Sequence, residues 1–209
     1  MMDASGPGMV EPALRLLALA GLTVFAVSGA LAAARQRLDI IAAGFFAVVT
    51  ATGGGTVRDL LIGAPVFWMK DWTPIAICIA VAAAVWLVPL HRWPARALDW
   101  FDAAGLSAFS VYGAAKALGF DASPLSAVAM GVLTACLGGI VRDMVAGVPS
   151  IMLRNELYVT AALAAALSFV ALRYIGLPEG MAGIVAAVAG FALRGAAIRW
   201  QLALPRHKG

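Results

Sequence analysis

Charge is the scarcest feature of this sequence. Only 12% of its 209 residues are Asp, Glu, Lys or Arg, and 63% are hydrophobic. Soluble globular chains are about 25% charged and about 45–50% apolar. The mean hydropathy of +0.93 points the same way. The composition therefore predicts a membrane protein and excludes an ordinary soluble enzyme, because so few polar side chains cannot cover a globule in water.

Cysteine and histidine are also scarce, with two of each. Cys78 and Cys136 lie inside apolar runs, where a thiol behaves as a small hydrophobe, and His91 and His207 have no partner at a metal-ligand spacing. We therefore expect neither a disulfide framework nor a metal site. The spans also lack a His-Glu-x-x-His motif, a usable Ser-His pair and a Gly-Lys-Ser/Thr loop, so we expect no enzyme and no cofactor.

The basic residues are scattered between apolar runs and form no continuous face, so nucleic acid is not an expected partner. The partner is the lipid bilayer. A span needs roughly 20 apolar residues to cross a hydrocarbon core about 30 Å thick, and the sequence predicts an all-α, polytopic protein whose residues 1–209 form a single transmembrane domain. The seven predicted spans are 13–34, 39–62, 73–90, 98–118, 123–147, 156–175 and 181–203.

The connections between these spans are short, and basic residues are concentrated on one side of the membrane. Short loops with more Lys and Arg stay in the cytoplasm. We therefore expect a multi-pass protein of the inner (plasma) membrane with its N-terminus outside and its C-terminus in the cytoplasm. The cytoplasmic side would carry Arg35, Arg37, Arg92, Arg96, Arg154, Arg199, Arg206 and Lys208, and the opposite side Arg15, Lys70 and Arg173.

The chain contains two copies of one pattern at a constant offset of 84 residues. Repeat one covers 13–90, repeat two covers 98–175, and the seventh span, 181–203, has no counterpart. Each repeat holds three spans, so the second copy enters the bilayer from the opposite face, and inverted repeats usually place a transport site where they meet. Matched segments include Gly21-Leu22 with Gly105-Leu106, Thr50-Ala51 with Thr134-Ala135, Gly54-Gly55 with Gly138-Gly139, and Val57-Arg58-Asp59 with Val141-Arg142-Asp143.

Glycines interrupt the second and fifth spans. Gly53, Gly54 and Gly55 follow one another in the second, and Gly138 and Gly139 are their counterparts in the fifth. Each interior glycine costs a helix about 1 kcal/mol relative to alanine. We expect both spans to kink or unwind there, lining a polar passage in which the carbonyls of Gly53, Gly54 and Gly138 coordinate a permeant cation. Close helix packing is the alternative role of small residues.

An Arg-Asp pair follows each glycine run, Arg58-Asp59 in the first copy and Arg142-Asp143 in the second. A charge in the middle of a span costs about 2.5–3.5 kcal/mol, so it faces a partner or water. Adjacent residues point about 100° apart on a helix, so partners from other helices are expected. The pairs either lock the repeats together or form charged rings at the two mouths of a passage.

Lys116 breaks the symmetry of the repeats, because its counterpart is Ala32. It either extends to the headgroups or projects into the passage as a charge that a membrane voltage moves. Asp102 and Arg194 are assigned to interfacial or inter-helix pairing. Hydroxyls in the apolar spans either bond back to their own helix or line the passage. The lining candidates are Ser28, Thr52, Thr56, Ser110 and Thr134, with Thr23, Thr50 and Ser107 as further members.

The doubled glycine and Arg-Asp motifs, together with residues 25–29 and Lys70-Asp71-Trp72, resemble the prokaryotic branch of the trimeric intracellular cation channel family. The resemblance covers about residues 13–205. It implies seven helices in inverted three-helix repeats plus one, a homotrimer, and an hourglass pore inside each protomer that passes monovalent cations, K⁺ chiefly and Na⁺, at the glycine kinks.

A lysine in helix four of animal members of that family is tied to gating, and Lys116 matches its general placement. The animal Lys-Glu-Val signature is absent, since Ala117 and Leu118 follow here. Voltage and calcium regulation are therefore not carried over. The second copy also has two glycines where the first has three, so the two kinks are expected to differ.

Two other functions fit the same residues. A secondary transporter of a small zwitterion such as glycine would use the central site, with Arg binding the carboxylate and Asp the amine. A purely structural scaffold would conduct nothing. The sequence favours the passive potassium channel because of its duplicated glycine runs.

Overall fold

The computed structural model describes residues 12–153 and 157–203. Arg154, Arg206, His207 and Lys208 lie outside these residues. The long helices are α1 (Pro12–Arg35), α2 (Ile40–Leu61), α4 (Thr73–Leu87), α5 (Ala97–Leu118), α6 (Pro124–Val145), α7 (Val159–Tyr174) and α8 (Glu179–Trp200). Three short elements join them: the helix α3 (Phe67–Lys70) and the 3₁₀ turns Leu90–Arg92 and Ile151–Leu153.

The seven long helices confirm the seven predicted spans, with each end within three residues of its predicted position. Local chemistry explains several ends. The Asp39 carboxylate accepts a hydrogen bond from the Ala42 N–H at 2.8 Å and so begins α2, as an N-cap residue does. Gly63 and Gly147 adopt φ of +68° and +66° just after α2 and α6. That left-handed conformation favours glycine and turns the chain out of the helix.

Four helices are long and apolar enough to cross a membrane: α1, α2, α6 and α8. Helices α4 and α7 are apolar but have only 15 and 16 residues. Helix α5 contains Asp99, Asp102 and Lys116 and is largely buried. The outer surface of the bundle carries large apolar side chains such as Leu16, Ile41 and Tyr174, as expected for a polytopic protein surrounded by lipid.

The helices pack in two equivalent groups. Helices α1, α2, α5 and α6 form the centre, α4 packs against α1 and α2, and α7 packs in the same way against α5 and α6. Helix α8 lies on α5 and α7 outside this arrangement. Gly21 of α1 faces Ala108 of α5, and Phe25 faces Gly105. These two helices therefore run antiparallel, as inverted repeats require.

The glycine runs do not interrupt their helices. The expectation is that these segments kink or unwind. Helix α2 is continuous from Ile40 to Leu61 and α6 from Pro124 to Val145, so neither segment unwinds. The physical reason is the helix crossing. A Cβ atom on Gly54 would overlap the Thr134 carbonyl oxygen, and one on Gly138 would overlap the carbonyl oxygen of Thr50.

The glycines thus allow the backbones of α2 and α6 to touch, which is the use of small residues that membrane helices often make. Close van der Waals packing at the crossing offsets the intrinsic cost of glycine in a helix. The two points of approach are related by the repeat offset, since Thr50 corresponds to Thr134 and Gly54 to Gly138. The crossing therefore lies on the axis that relates the two halves.

Candidate functional site

Two buried charged clusters lie on either side of the α2–α6 crossing. The first cluster consists of Arg58, Asp59, Tyr112 and Lys116, at the C-terminal ends of α2 and α5. The second cluster consists of Ser28, Asp102, Arg142, Asp143 and Tyr158, at the C-terminal end of α6 and the beginning of α5. Both are almost inaccessible to solvent, with Arg58 and Arg142 each 1% exposed.

Asp59 is the centre of the first cluster. Its Oδ1 atom accepts hydrogen bonds from Arg58 Nε at 2.9 Å and from Lys116 Nζ at 2.8 Å. Its Oδ2 atom accepts from the Phe67 backbone N–H at 3.1 Å. One carboxylate therefore serves two cations, and Lys116, which is 8% exposed, points into the protein and does not extend to the headgroups.

The Arg58 guanidinium also lies over the Tyr112 ring, 5.1 Å from its centroid. Such a cation–π contact contributes about 0.5–2 kcal/mol, the larger values applying where water is excluded. The contact fixes the guanidinium between the aromatic ring and the carboxylate of Asp59.

Arg142 is the centre of the second cluster. Its Nε atom donates to Asp143 Oδ1 at 2.8 Å, and its Nη1 atom donates to the Asp102 carboxylate and to the Ser28 hydroxyl. Asp143 Oδ2 accepts from the Ile151 backbone N–H at 2.7 Å. One cation here serves two carboxylates, the reverse of the first cluster. Arg194 of α8 lies over the Tyr158 ring, 5.3 Å from its centroid.

The adjacent Arg and Asp residues do pair with each other in both copies, which corrects the expectation that their 100° separation prevents it. The arginine side chain is long enough to fold back along the helix end, so that Nε reaches the neighbouring carboxylate. The expected partners from other helices are present as well: Lys116 in the first cluster and Asp102 in the second. The inter-helix pairing predicted for Asp102 is confirmed.

A cavity of about 430 Å³ opens beside the first cluster. Its charged lining consists of Arg15, Arg58, Lys116 and Asp71, and its apolar lining includes Leu22 and Phe109. Hydrogen bonds from the Thr73 side chain and backbone lower the pKa of Asp71, so this exposed residue is a carboxylate at neutral pH. Asp59 pairs with both Arg58 and Lys116 behind this lining, so among the described residues three basic side chains face two acidic ones and a net positive charge remains.

The remaining predicted lining residues divide into three sets: glycines beside the clusters, hydroxyls bonded to their own helices, and Gly53. Gly55 lines the cavity, and Gly139 lies against Asp102 and Tyr158, so both belong to the clusters. Other hydroxyls bond back to their own helices: Thr52 to Val48, Thr56 to Thr52, Ser110 to Leu106 and Thr134 to Met130, at 2.6–2.8 Å. Thr56 also accepts a hydrogen bond from Trp68 Nε1 at 2.8 Å. A Cβ on Gly53 would meet nothing within 4 Å, so this glycine is outside the crossing.

Sequence reasoning missed the two tyrosines. Tyr112 and Tyr158 provide the ring contacts of the two clusters, yet neither lies in a recognisable motif. The repeat offers a partial signal, because position 112 corresponds to Ser28, a predicted lining residue. Within the described residues, no group of three or more His, Cys, Asp or Glu side chains is arranged to hold a metal ion.

Comparison with known proteins finds one family model that matches both halves of this chain. The family described as glycine transporter matches residues 15–89 and again residues 99–174. The two matched segments correspond to the two halves of the fold, so the family unit is one three-helix repeat.

Relatives and solved structures cover nearly the full chain. The inner membrane protein YadS of Escherichia coli K12 is 39% identical over 195 residues, which are 90% of this chain and 93% of that one. The trimeric intracellular cation channel orthologue from Rhodobacter sphaeroides is 42% identical, with a TM-score of 0.88, covering 92% of this chain and 100% of that chain. A prokaryotic channel of the same type, solved in 0.5 M KCl, is 27% identical, with a TM-score of 0.81 and coverages of 91% and 98%.

Proposed function

Because this chain belongs to the prokaryotic trimeric intracellular cation (TRIC) channel family, we propose that it is a monovalent cation channel, with K⁺ as the main ion and Na⁺ also permeant. The observation that carries the proposal is the pair of buried charged clusters on either side of one glycine-lined helix crossing. Such a symmetric arrangement within one subunit supports a passage through each protomer of a homotrimer.

The passage crosses the membrane at the point where the two repeats meet, perpendicular to the in-plane axis that relates them. It begins at the cavity, continues past Gly54, Gly138 and Thr134, and ends at Arg142 and Asp143. In the conducting state K⁺ would contact the carbonyls of Gly53, Gly54 and Gly138. The backbone contact at the crossing and the pairing within both clusters support a closed conformation of this passage.

Lys116 and Arg58 close the first mouth electrostatically, because a K⁺ ion entering the cavity meets both cations before it meets Asp59. Release of Lys116 from Asp59 would remove a positive charge from the path and expose a carboxylate to the permeant ion. A membrane voltage supplies about 2.3 kcal/mol per charge per 100 mV, which is comparable to a charge-assisted hydrogen bond of about 1.5–3 kcal/mol.

Transport of glycine is the second candidate, since the matching family carries that description. In that case Arg58 would hold the carboxylate and Asp59 the amine. The two functions differ in electrical behaviour, because a zwitterion carries no net charge, whereas a channel passes current.

Purified protein in planar bilayers under a K⁺ gradient, with and without glycine, tests the proposal. We expect unitary currents that reverse at the K⁺ equilibrium potential and do not depend on glycine. Saturable glycine uptake into proteoliposomes without current would instead establish the transporter, and absence of both would leave only a structural role.

The location of the passage has its own test. Ala18 lines the cavity, whereas Leu16 on the same helix is 69% exposed on the outer surface of the bundle. A charged, membrane-impermeant thiol reagent should reduce current through Ala18→Cys and leave current through Leu16→Cys unchanged. Equal sensitivity of the two variants would place the passage elsewhere.

A further inference from the structure

The internal repeat reveals an acceptor missing from the first cluster. Arg142 has two carboxylate partners, Asp143 from its own helix and Asp102 from α5. The counterpart of Asp143 is Asp59, which is present and bonded to Arg58 in the same way. The counterpart of Asp102 is Ala18. Arg58 therefore has one acidic partner, whereas its equivalent Arg142 has two.

The two clusters correspond in geometry as well as in sequence position. Asp59 and Asp143 each accept a backbone N–H eight residues later, from Phe67 and Ile151. A Cβ on Gly55 would lie 3.4 Å from Arg58 Nη2, and one on Gly139 would lie 3.6 Å from Arg142 Nη2. The guanidinium groups thus occupy corresponding places, and residues around one predict what surrounds the other.

The position where the missing carboxylate would lie is open to the cavity. Ala18 and Pro74, the counterparts of Asp102 and Tyr158, both line the 430 Å³ cavity. In the second cluster the larger side chains of Asp102 and Tyr158 are fully buried against Arg142. In the first cluster two smaller residues leave that volume open, next to a guanidinium that is itself 1% exposed.

The Arg58 guanidinium also has a hydrogen-bond donor without an acceptor. Its Nε atom donates to Asp59, and its Nη2 atom lies 2.8 Å from the same oxygen, as Arg142 Nη2 does from Asp143. Among the described residues, however, Arg58 Nη1 donates to no acceptor, whereas Arg142 Nη1 donates to Asp102 and Ser28. A buried donor without an acceptor costs about 1–3 kcal/mol, more when it is charged. An acceptor supplied from outside would recover that cost.

We infer that the cavity is a binding site for a small monocarboxylate, whose carboxylate takes the place that Asp102 has in the other half of the fold. The guanidinium of Arg58 binds a planar carboxylate through two N–H groups, and Lys116 and Arg15 add positive charge. Leu22 and Phe109 contact a short apolar tail. The volume lies within the range of about 300–1,000 Å³ typical of small-molecule sites.

The cavity selects against an ammonium group on the same molecule. Among the residues that the structure describes, three basic side chains line it, and Asp71 is the acidic one. Propionate should therefore bind more tightly than glycine. This site differs from the proposed conduction path in its ligand, and it can be measured without current.

Thermal unfolding of the purified protein in a neutral detergent tests the inference. Propionate or phosphate replaces chloride at constant ionic strength, and glycine is added at constant chloride. A ligand that binds the native state alone raises Tm in a saturable way. We expect this for propionate, with apparent affinity at least about tenfold weaker for glycine, a difference of about 1.4 kcal/mol.

Ala18→Asp is the decisive variant, because it restores the carboxylate internally. It should have a higher Tm than the parent without ligand and should bind propionate at least about tenfold more weakly. Ala18→Asn adds a similar volume without charge and should not raise Tm. Leu16→Ala, on the outer face of the same helix, should keep the propionate response of the parent.

The inference would be overturned by no stabilisation by propionate beyond chloride, by an undiminished response in Ala18→Asp, or by stabilisation by phosphate alone. Glycine binding as tight as propionate would also contradict it and would favour the zwitterion transporter. Because the readout is thermal, its failure would leave the cation channel standing, and loss of current would leave the binding site standing.

Discussion

At the scale of single residues, both clusters compensate buried charges, but cations are in excess in the first cluster and carboxylates in the second. Arg58 and Lys116 share the carboxylate of Asp59, whereas Arg142 receives the carboxylates of Asp102 and Asp143. Removing one partner of a buried ion pair is costly because the other charge remains uncompensated. The mutational consequences therefore depend on which charge is left behind.

Asp59→Asn leaves two buried cations without a carboxylate, although the amide oxygen still accepts from the Phe67 N–H. We expect a loss of about 3–5 kcal/mol in the free energy of unfolding, measured by denaturant titration in detergent. Adding Lys116→Met removes one of the stranded cations, so the double variant should be more stable than additivity predicts by about 0.5–3 kcal/mol.

Lys70→Met is the matched control for Lys116→Met, because Lys70 is an exposed lysine. Combined with Asp59→Asn, it should lower the free energy of unfolding by the sum of the two single effects. Additivity in both double variants would show that Lys116 and Asp59 are not energetically coupled, and the gating role proposed for their separation would fail with it.

At the scale of helices, the α2–α6 crossing explains why glycine is needed at particular positions. Gly54 and Gly138 bring two backbones into contact, whereas Gly53 faces open space. Consecutive glycines in the sequence therefore have different roles, and neighbouring substitutions should have opposite effects.

Gly54→Ala should destabilise the protein by about 1–3 kcal/mol, since the added methyl group overlaps the Thr134 carbonyl. Gly53→Ala should be neutral or stabilise by up to about 1 kcal/mol, because alanine is the better helix former. Thermal unfolding of the two variants side by side measures the difference. Comparable destabilisation by both would mean that helix flexibility, and not the crossing, is what the glycines provide.

At the scale of the whole molecule, the inverted repeat fixes which ends of the bundle face the same side of the membrane. Arg15, Arg58 and Lys116 meet at one cavity although they come from three helices, because those helix ends lie on one face. The positive-inside bias predicts that this face lies outside.

Single cysteines test that assignment. The two natural cysteines are free and buried, so they should react slowly with a membrane-impermeant thiol reagent applied to intact cells. Lys70→Cys should be labelled and His91→Cys should not, because the loops that hold them lie on opposite sides. Labelling of His91→Cys before lysis would reverse the proposed orientation.

A homotrimer with one passage per protomer makes a quantitative prediction. Light scattering should give three copies of the 21.5 kDa chain in each particle. In trimers assembled from mixtures of the parent chain and Ala18→Cys, the thiol reagent should remove current in proportion to the substituted fraction, about one-third per substituted subunit. Complete block by a single modified subunit would instead indicate one shared pore on the three-fold axis.

Much of this molecule follows from the one-dimensional pattern. The seven spans, the duplication and the charged pairs at 58–59 and 142–143 are all readable because membrane helices must be long and apolar, so that charges and repeats stand out against them. Helix α3 and the two 3₁₀ turns were missed, since elements of three or four residues have no periodicity to detect.

The amino-acid pattern is enough to show that the chain spans a membrane, that its halves are inverted, and which charged residues need partners inside it, because burying a charge in lipid is too costly to occur without compensation. The packing of the helices was needed to show what the glycines do and which charges meet. Propensity favoured breaks in α2 and α6, but the close contact of Gly54 with Thr134 and of Gly138 with Thr50 keeps both helices intact. The absence of a carboxylate at Ala18 acquires meaning only when Arg58 is compared with Arg142 in three dimensions.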